Sequence, residues 1–371
     1  MKIAVITLHR IFNYGSVFQA YATQKLLEEK GNEVVIIDYI PKQRSLKRML
    51  FAPAPKGYNN ITAWVYKLLR SVSILLKELT FTSFLKKNLS LTHKYRDINQ
   101  LKCDIPIADV YVTGSDQTWN SKYNEGIDRC FYLDFVPEKS KRISFVSSFG
   151  ATSISESEKL LIKNYLKKYS ALSVREDSAQ SILFSLGFKE SKWLIDPTLQ
   201  IEKKVWYKLA SKRLVKKPYL ILMLLYSEDN GATEYARKIA DCKGLELIKL
   251  SWDIKKDSNI DKLMTHRKPE DFLSLFYYAD FVVTNSFHGT AFSINFEKEF
   301  VVVPRDEFNS RIESLLYLTG LSNRMITNID EAINASFHKI DYIPVRKIIN
   351  NERKRADEFL SESINNITLR R

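Results

Sequence analysis

Glycine is scarce in this sequence, with 11 residues among 371. Neither G-x-G-x-x-G nor G-x-x-x-x-G-K-[ST] occurs, so a dinucleotide-binding fingerprint and the phosphate loop of P-loop NTPases are excluded. D-x-D is also absent, which argues against the usual metal-bridged nucleotide-sugar site. There is no H-E-x-x-H and no Cys/His cluster, so no metal site is predicted.

Cysteine is rare as well. Cys103, Cys130 and Cys242 show no short spacing, which excludes a disulfide framework and is typical of a reducing compartment. The N-terminal stretch MKIAVITLHRIFNYG has too short an apolar run for a signal peptide, and no run is long enough to span a bilayer. We therefore expect a cytoplasmic protein.

Acidic residues are nearly missing between positions 42 and 87, where ten Lys and Arg face Glu78 alone. This block carries most of the formal net charge of +14 and favours an anionic partner. Within it, ITAWVYKLLRSVSILLKELTFTSFLKK has a helical pattern. One interpretation is a solvated basic face on a packed helix, and another is a helix on an anionic membrane surface. Nucleic acid is not expected, because no RRM, KH, helix-turn-helix or zinc-finger signature occurs.

Strands and helices alternate along the chain. KIAVITL, VFQAYATQKLLEEKG and EVVIIDYI predict a βαβ unit with a parallel sheet, and a second such series starts at YLILMLLY. The pattern predicts an N-terminal Rossmann-like domain over 1–205 with a basic helical insertion at about 42–90. A C-terminal Rossmann-like domain over 206–330 and a helical tail over 331–371 follow. Ligands are expected in a cleft at the carboxyl ends of the strands.

The first candidate site is FNYGSVFQAYA, in the first strand-to-helix turn. The N–H groups of Gly15 and Ser16 would open a helix, which favours an anion, and Gln19 lies one turn further on. Asn13 precedes them. A simple Asn/Gly turn with a Ser cap is the alternative.

The second candidate site is VTGSDQTWN, where Gly114 and Ser115 turn out of a strand. Asp116 could orient a hydroxyl, act as a base or cap a helix. Trp119 could stack on a sugar or belong to the core.

The third candidate site is SVREDSA, followed by LIDPT. Arg175 stands at a strand end, where its planar fork would suit a carboxylate or a phosphate. The alternative is an ion pair with a neighbouring carboxylate. We interpret Asp196-Pro197 as a structural stop.

The fourth candidate site is TNSFHGT. Ser286 is predicted to end a strand, His288 to lie in the turn, and Gly289 and Thr290 to lead into a helix. A helix N-terminus disfavours a cationic His, whereas a bound phosphate favours it, which makes His288 a tunable proton donor. Further cations that could close an anion site are Lys298, Arg305 and Arg311.

As an ordered set, NYGSVFQAYA, GSDQTWN, SVREDSA with LIDPT, and SFHGTAFSINF resemble the polysaccharide pyruvyl transferase family, over about residues 1–325. Much of that family carries Arg-Leu-His at the fourth motif. This chain has Ser286-Phe287-His288, which resembles the S-F-H-G branch. Arg311 or Lys298 would then replace the missing Arg.

The resemblance implies an α/β, GT-B-like fold with two Rossmann-like domains facing a central cleft. It implies phosphoenolpyruvate as donor, a sugar of a polysaccharide or polyprenyl-diphosphate-linked glycan as acceptor, a pyruvate ketal as product, and neither cofactor nor metal. His288 is the expected general acid, and Asp116 would position or deprotonate the acceptor. The remaining candidates at the four sites would bind substrate.

Two other functions stay open. One is a GT-B-type glycosyltransferase that uses a nucleotide sugar, and the other is a non-catalytic glycan- or anion-binding protein. If the acceptor is lipid-linked, the basic block is expected to rest on the inner face of the membrane.

Overall fold

A computed structural model describes residues 1–53, 59–225, 229–253 and 257–365 of the protein. The chain forms two compact units. The N-terminal unit comprises Met1–Phe149 and Glu156–Ala171, and the C-terminal unit comprises Gly150–Ser155 and Leu172–Arg371. Residues 172–205 thus group with the C-terminal unit, whereas the sequence pattern assigns them to the N-terminal domain. The domain limits given above stay a prediction.

The N-terminal unit is built on parallel strands. Among its described residues these are β1 Lys2–Ile6, β2 Glu33–Tyr39, β3 Leu91–Tyr95, β4 Val110–Thr113 and β5 Lys141–Ser147. Their order in the sheet is β3-β2-β1-β4-β5. Because β1 pairs in parallel with β4, the turns after both strands meet at one edge of the sheet.

Helices cover this sheet, and the first is buried nearly all round. They are α1 Tyr14–Glu28, α2 Leu46–Phe51, α3 Asn60–Asn88, α4 Ile98–Cys103 and α5 Glu156–Leu166. The carboxyl half of α3 packs on α1, with the rings of Phe18 and Phe84 5.7 Å apart. Most of the described part of the predicted basic insertion is helical, in α2 and α3; Lys56 lies outside the described residues.

The described strands that follow are β6 Ala171–Val174, β7 Lys192–Trp193, β8 Tyr219–Met223, β9 Glu246–Ser251, β10 Lys262–Thr265, β11 Phe281–Thr284 and β12 Glu299–Val302. Strands β6 and β7 pair in parallel. The last five strands form a parallel sheet of the C-terminal unit, in the order β10-β9-β8-β11-β12. Leu222, Val283 and Val301 of its central strands are fully buried against α9 Ala232–Lys243.

The other helices of this unit, as described, are α6 Asp177–Ser185, α7 Pro197–Gln200, α8 Lys203–Leu209, α10 Pro269–Tyr277, α11 Phe287–Asn295, α12 Ser310–Thr319, α13 Ile329–Phe337 and α14 Tyr342–Asn365. Since β11 and β12 run parallel, α11 and α12 both follow the carboxyl edge of the sheet. The predicted α/β architecture is confirmed. Among the described residues, no helix combines the length and the apolar character needed to cross a membrane.

Candidate functional site

The predicted site residues fall into two groups, one in each unit. The first two motifs lie in the N-terminal unit, and the last two lie in the C-terminal unit. In the N-terminal unit, the parallel pairing of β1 and β4 brings the first and second motifs to one sheet edge. In the C-terminal unit, the third motif follows β6 and the fourth follows β11, which belong to different sheets, and side-chain contacts join the two motifs.

In the N-terminal unit, hydrogen bonds join the first motif to the second. The Ser16 hydroxyl donates to Asp116 Oδ2 at 2.7 Å, and Thr7 Oγ1 donates to the Ser115 carbonyl at 2.7 Å. At Gly114 a Cβ would lie 3.0 Å from Thr7 Cβ, so the chains approach closely here. The structure therefore brings together Ser16, Ser115 and Asp116, as the parallel arrangement requires.

The start of α1 differs from the predicted open anion site. Asn13 is the N-cap, and its side chain accepts from Gly15 N at 2.9 Å. Gln19 is fully buried and donates to Thr7 Oγ1 and to the Ser16 carbonyl. These residues hold the turn together by internal hydrogen bonds. Their contact with a ligand stays a prediction.

Asp116 does not cap a helix, because no helix follows it in the described chain until α5. Its backbone has φ of 76°, in the left-handed region that a side chain rarely adopts. Its Oδ1 accepts from Gln117 N at 2.9 Å, while Ser16 holds Oδ2. The carboxylate is thus fixed in direction in a strained turn, which is common at functional sites.

Trp119 belongs to the core. It is 2% exposed, its indole donates to the Phe131 carbonyl at 3.2 Å, and its ring stacks on Tyr132 at 5.6 Å. Phe149 lies 5.3 Å from the same ring. This corrects the interpretation of Trp119 as a platform for a sugar, since its aromatic surface is already covered.

A buried ionic group at the end of β1 is not among the predicted candidates. His9 Nε2 lies 3.2 Å from Asp38 Oδ1, and Arg10 Nε donates to the same oxygen at 2.6 Å. Burial alone would raise the pKa of Asp38, but its hydrogen bonds to His9 and Arg10 hold it far below the usual range. The signal in the sequence is L-H-R directly after the first strand.

In the C-terminal unit, Arg175 follows β6 and pairs with Asp196. Arg175 Nη1 donates to Asp196 Oδ2 at 2.9 Å, and both side chains are fully buried. Asp196 is also the N-cap of α7 and accepts from Thr198 N at 2.9 Å. Arg175 therefore forms an ion pair, which was the alternative to a ligand site. Asp196 does not merely end a strand, because it also holds Arg175 and caps α7. Ligand binding by Arg175 stays a prediction.

The ionised state of Asp196 is stabilised by its neighbours. Burial would raise the pKa of this carboxyl, but the charges of Arg175 and His288 and the hydrogen bonds from Thr198 lower it below its ordinary value. A buried anion thus lies within electrostatic reach of the proposed acid.

Phe287 links the cationic groups. The guanidinium carbons of Arg175 and Arg311 lie 4.5 and 5.9 Å from the centroid of its ring. The His288 ring meets the same ring edge-on at 5.1 Å. Cations over an aromatic face are attracted to its negative surface. Phe287, which was not among the candidates, therefore holds the third and fourth motifs together. We call Arg175, Phe287, His288 and Arg311 the cationic cluster.

Helix α11 starts earlier than predicted. Strand β11 ends at Thr284, and Ser286 is the N-cap, with its side chain accepting from Gly289 N at 3.3 Å. His288 thus lies in the first helical turn and is 5% exposed. Thr290 Oγ1 donates to the Ser286 carbonyl at 3.0 Å, which fixes this turn. Ser286 and Thr290 build the helix start.

Lys298 does not join the cationic cluster. It directly precedes β12, and β12 pairs in parallel with β11 from Phe281↔Glu299 to Thr284↔Val302. Lys298 therefore lies at the amino edge of the sheet and His288 past the carboxyl edge. Burial lowers the pKa of Lys298, and its ammonium lies over the Tyr277 ring. This corrects the expectation that it closes an anion site with His288; Arg311 is the candidate that the structure supports.

Gly289 is required by a close approach of α11 to β11. A Cβ at this position would overlap Thr284 Oγ1 and lie 3.1 Å from Thr284 Cβ. Thr284 cannot easily move, because it is fully buried and donates to the Met223 carbonyl at 2.7 Å. We expect Gly289→Ala to lower the free energy of unfolding by about 1–3 kcal/mol, the usual cost of overpacking.

The control for this prediction is the double variant Gly289→Ala/Thr284→Ala. Removing the Thr284 hydroxyl relieves the overlap, so urea unfolding should show the two changes costing less together than their separate costs added. Strict additivity would contradict the contact.

Two further polar contacts in the C-terminal unit were not predicted. Asn285 Oδ1 accepts from Leu225 N at 2.6 Å, which ties the turn after β8 to the end of β11. Ser314 of α12 donates to Asp177 of α6 at 2.5 Å. That bond joins the helix carrying Arg311 to the helix that follows Arg175. Asp177 belongs to the S-V-R-E-D run, but its partner Ser314 lies 137 residues later in the chain, so a local sequence pattern does not reveal the pair.

With this geometry in view, a family model for polysaccharide pyruvyl transferases matches residues 13–307. The chain belongs to the polysaccharide pyruvyl transferase family. The match covers all four motifs and confirms the resemblance stated from the sequence. No curated protein sequence matches the chain.

Solved structures agree with the fold. The S. aureus MnaA–UDP co-structure has a TM-score of 0.54 at 11% identity, with 98% of this chain and 95% of that chain covered. A putative UDP-N-acetylglucosamine 2-epimerase from Listeria monocytogenes gives 0.55 at 13%, with 97% and 95% covered. The UDP-GlcNAc 2-epimerase of Methanocaldococcus jannaschii, in complex with UDP-GlcNAc and UDP, gives 0.51 at 15%, with 98% and 99% covered. The fold is GT-B-like, with two Rossmann-like domains.

Proposed function

We propose that the protein transfers pyruvate from phosphoenolpyruvate to a sugar of a polysaccharide or lipid-linked glycan, forming a ketal and releasing phosphate. The observation that carries the transferase class is the family match over residues 13–307. The observation that favours this donor is the cationic cluster, with Asp196 beside it. Phosphoenolpyruvate is a small, multiply charged anion, and paired guanidinium and imidazolium groups bind such anions.

The reaction needs a proton at the methylene carbon of the donor. In our proposal His288 gives that proton, so the methylene becomes the methyl group and C2 becomes electrophilic. A sugar hydroxyl attacks C2, phosphate leaves from C2, and a second hydroxyl of the same sugar closes the ketal. The two hydroxyl protons replace the one that His288 gave and leave with phosphate, so the enzyme is returned unchanged.

Asp116 is our candidate for the acceptor hydroxyl. Ser16 and the Gln117 N–H fix its two carboxylate oxygens, which suits a group that must orient one hydroxyl. Asn13, Gly15, Gln19, Gly114 and Ser115 shape the same edge of the N-terminal unit. No metal and no cofactor enters this proposal.

Arg311 is our candidate for binding the donor carboxylate or phosphate. It lies in the first turn of α12 and belongs to the cationic cluster. We expect Arg311→Gln to weaken phosphoenolpyruvate binding about 10- to 100-fold, the value of a charge-assisted hydrogen bond or two. Calorimetric titration measures it. Arg346→Gln, at an arginine 57% exposed on α14, is the control and should bind as the wild type does. Equal affinity in both variants would remove Arg311 from the donor site.

A nucleotide sugar as donor is the second candidate, favoured by the UDP that is bound in two of the similar solved structures. A thermal-shift screen with phosphoenolpyruvate, UDP and GDP separates the two. We expect phosphoenolpyruvate to raise the melting temperature of the wild type, and to raise that of Arg311→Gln much less. Stabilisation by UDP or GDP alone would favour the glycosyltransferase.

A further inference from the structure

Helix α3 exposes a continuous apolar stripe along its first 20 residues. Ile61, Trp64, Leu68, Val72, Leu75 and Leu79 recur at helical spacing, and each is at least 44% exposed. Residues at such intervals share one face of a helix. We call these six residues the α3 stripe. Exposed apolar side chains are normal when scattered, but a contiguous row of this kind marks an interaction surface.

The stripe is not a misplaced core face, because α3 buries its opposite side. Ile74, Phe81, Phe84 and Leu85 of the same helix are buried. Arg70 points away from the stripe and donates to the Met49 carbonyl at 2.6 Å. The helix therefore packs within its own unit and still presents a second apolar face.

Basic residues surround the stripe. Lys86 lies two turns beyond Leu79 on the same face, Lys67 and Lys87 flank that face on its two sides, and all three are exposed. Lys47 and Arg48 of the neighbouring α2 are exposed as well. Glu78 is the single acidic residue between positions 42 and 87. An apolar face with a basic border fits a surface that is apolar inside and anionic outside.

We propose that the α3 stripe docks the protein onto a membrane surface that contains anionic lipid. The helix lies in the headgroup plane, with the stripe in the acyl boundary and the lysines on lipid phosphates. A second copy of this chain fits the stripe less well, because it would bring two clusters of like charge together. This docking does not depend on the reaction proposed above.

Vesicle co-sedimentation tests the apolar part. The wild-type protein should bind vesicles of phosphatidylcholine mixed with phosphatidylglycerol. The variant Ile61→Gln/Leu68→Gln/Leu79→Gln should lose about tenfold or more in partitioning. The matched control removes one exposed Ile and two exposed Leu elsewhere, as Ile107→Gln/Leu160→Gln/Leu161→Gln, and should bind as the wild type does. Equal binding by the stripe variant and the control would overturn the proposal.

A comparison of vesicles with and without anionic lipid tests the role of the basic residues. Wild-type protein should bind the mixed vesicles about tenfold better than vesicles of phosphatidylcholine alone at low salt. Lys67→Gln/Lys86→Gln/Lys87→Gln should lose that preference, while Lys189→Gln/Lys216→Gln/Lys217→Gln, at exposed lysines outside the block, should keep it. A wild type with no preference for the anionic lipid would contradict the proposal.

Trp64 provides a direct signal of insertion. It is 65% exposed, so its emission should shift to the blue with mixed vesicles, and Trp64→Phe should abolish the shift. Light scattering after chromatography measures the competing occupant. Suppose that the wild type is a dimer that binds no vesicles, and that the stripe variant is a monomer. The stripe would then be a self-association surface, and the proposal of membrane docking would be wrong.

Discussion

Glutamine in place of His288 will lower turnover about 10²- to 10⁴-fold while phosphoenolpyruvate still binds, because general acid catalysis has this magnitude. His288 is in the first turn of α11, 5% exposed and within electrostatic reach of the buried Asp196. Glutamine retains a polar side chain in the same turn but cannot deliver a proton to carbon. Phosphate release measures turnover, and calorimetric titration measures donor binding.

The matched control is His338→Gln, at an exposed histidine that follows α13. Its side chain is bound to the Asn334 carbonyl, away from the carboxyl edge of β11. We expect wild-type turnover there. Full activity in His288→Gln would show that His288 is not the general acid. Loss of both activity and donor binding would show that His288 binds the donor instead.

Asparagine in place of Asp196 will lower the free energy of unfolding by about 3–5 kcal/mol, since removing one partner of a buried ion pair leaves the other charge uncompensated. Arg175 and Asp196 are both fully buried, and asparagine keeps the size of the side chain and an oxygen for Thr198. The expected loss is therefore that of the charge. Urea unfolding of both proteins measures it.

Glu202→Gln is the control for the ion pair, since Glu202 pairs with Lys204 where both side chains are more than half exposed. We expect a change within about 1 kcal/mol, as for other surface pairs. If Asp196→Asn changed stability as little as this control, the buried pair would not be a determinant of the fold.

The lowered pKa of Asp196 also sets the sign of a pH effect. A carboxyl with a depressed pKa in the folded state stabilises the protein fully above its unfolded pKa, about 3.9 for Asp. That contribution is lost as pH falls through the folded value. The gap in unfolding free energy between wild type and Asp196→Asn should therefore narrow in acid below the ordinary range of Asp. A gap that widened there would contradict the charge assignment.

Much of the fold could be predicted because its central strands are continuous apolar runs. KIAVITL and YLILMLLY became β1 and β8, and the parallel order follows from the helices between strands. The edge strands β3, LTHKY, and β10, KLMT, were missed, because both are short and mix polar and charged residues with few apolar ones. The start of α11 was placed too late, since glycine at position 289 weakens the helical signal.

The candidate site could be predicted only in part. Local patterns pointed to Arg175, Asp116 and His288, since each follows a strand. Pairing over long sequence distances is invisible to such patterns, so the ion pair of Arg175 with Asp196 stayed one of two alternatives. Lys298 was misplaced for a related reason: it is ten positions after His288, but α11 returns the chain from the carboxyl edge of the sheet to its amino edge between them.

Proton NMR of the product shows whether the protein forms a pyruvate ketal from phosphoenolpyruvate. The substrates are phosphoenolpyruvate and glycans extracted from the source organism after deletion of this gene, so that the natural acceptor is present. We predict a new methyl signal on the glycan, equal in amount to the phosphate released and absent with His288→Gln. Vinyl protons on the glycan would instead show an enolpyruvyl ether, and a glycan that stays unchanged while UDP is released from a nucleotide sugar would contradict pyruvyl transfer.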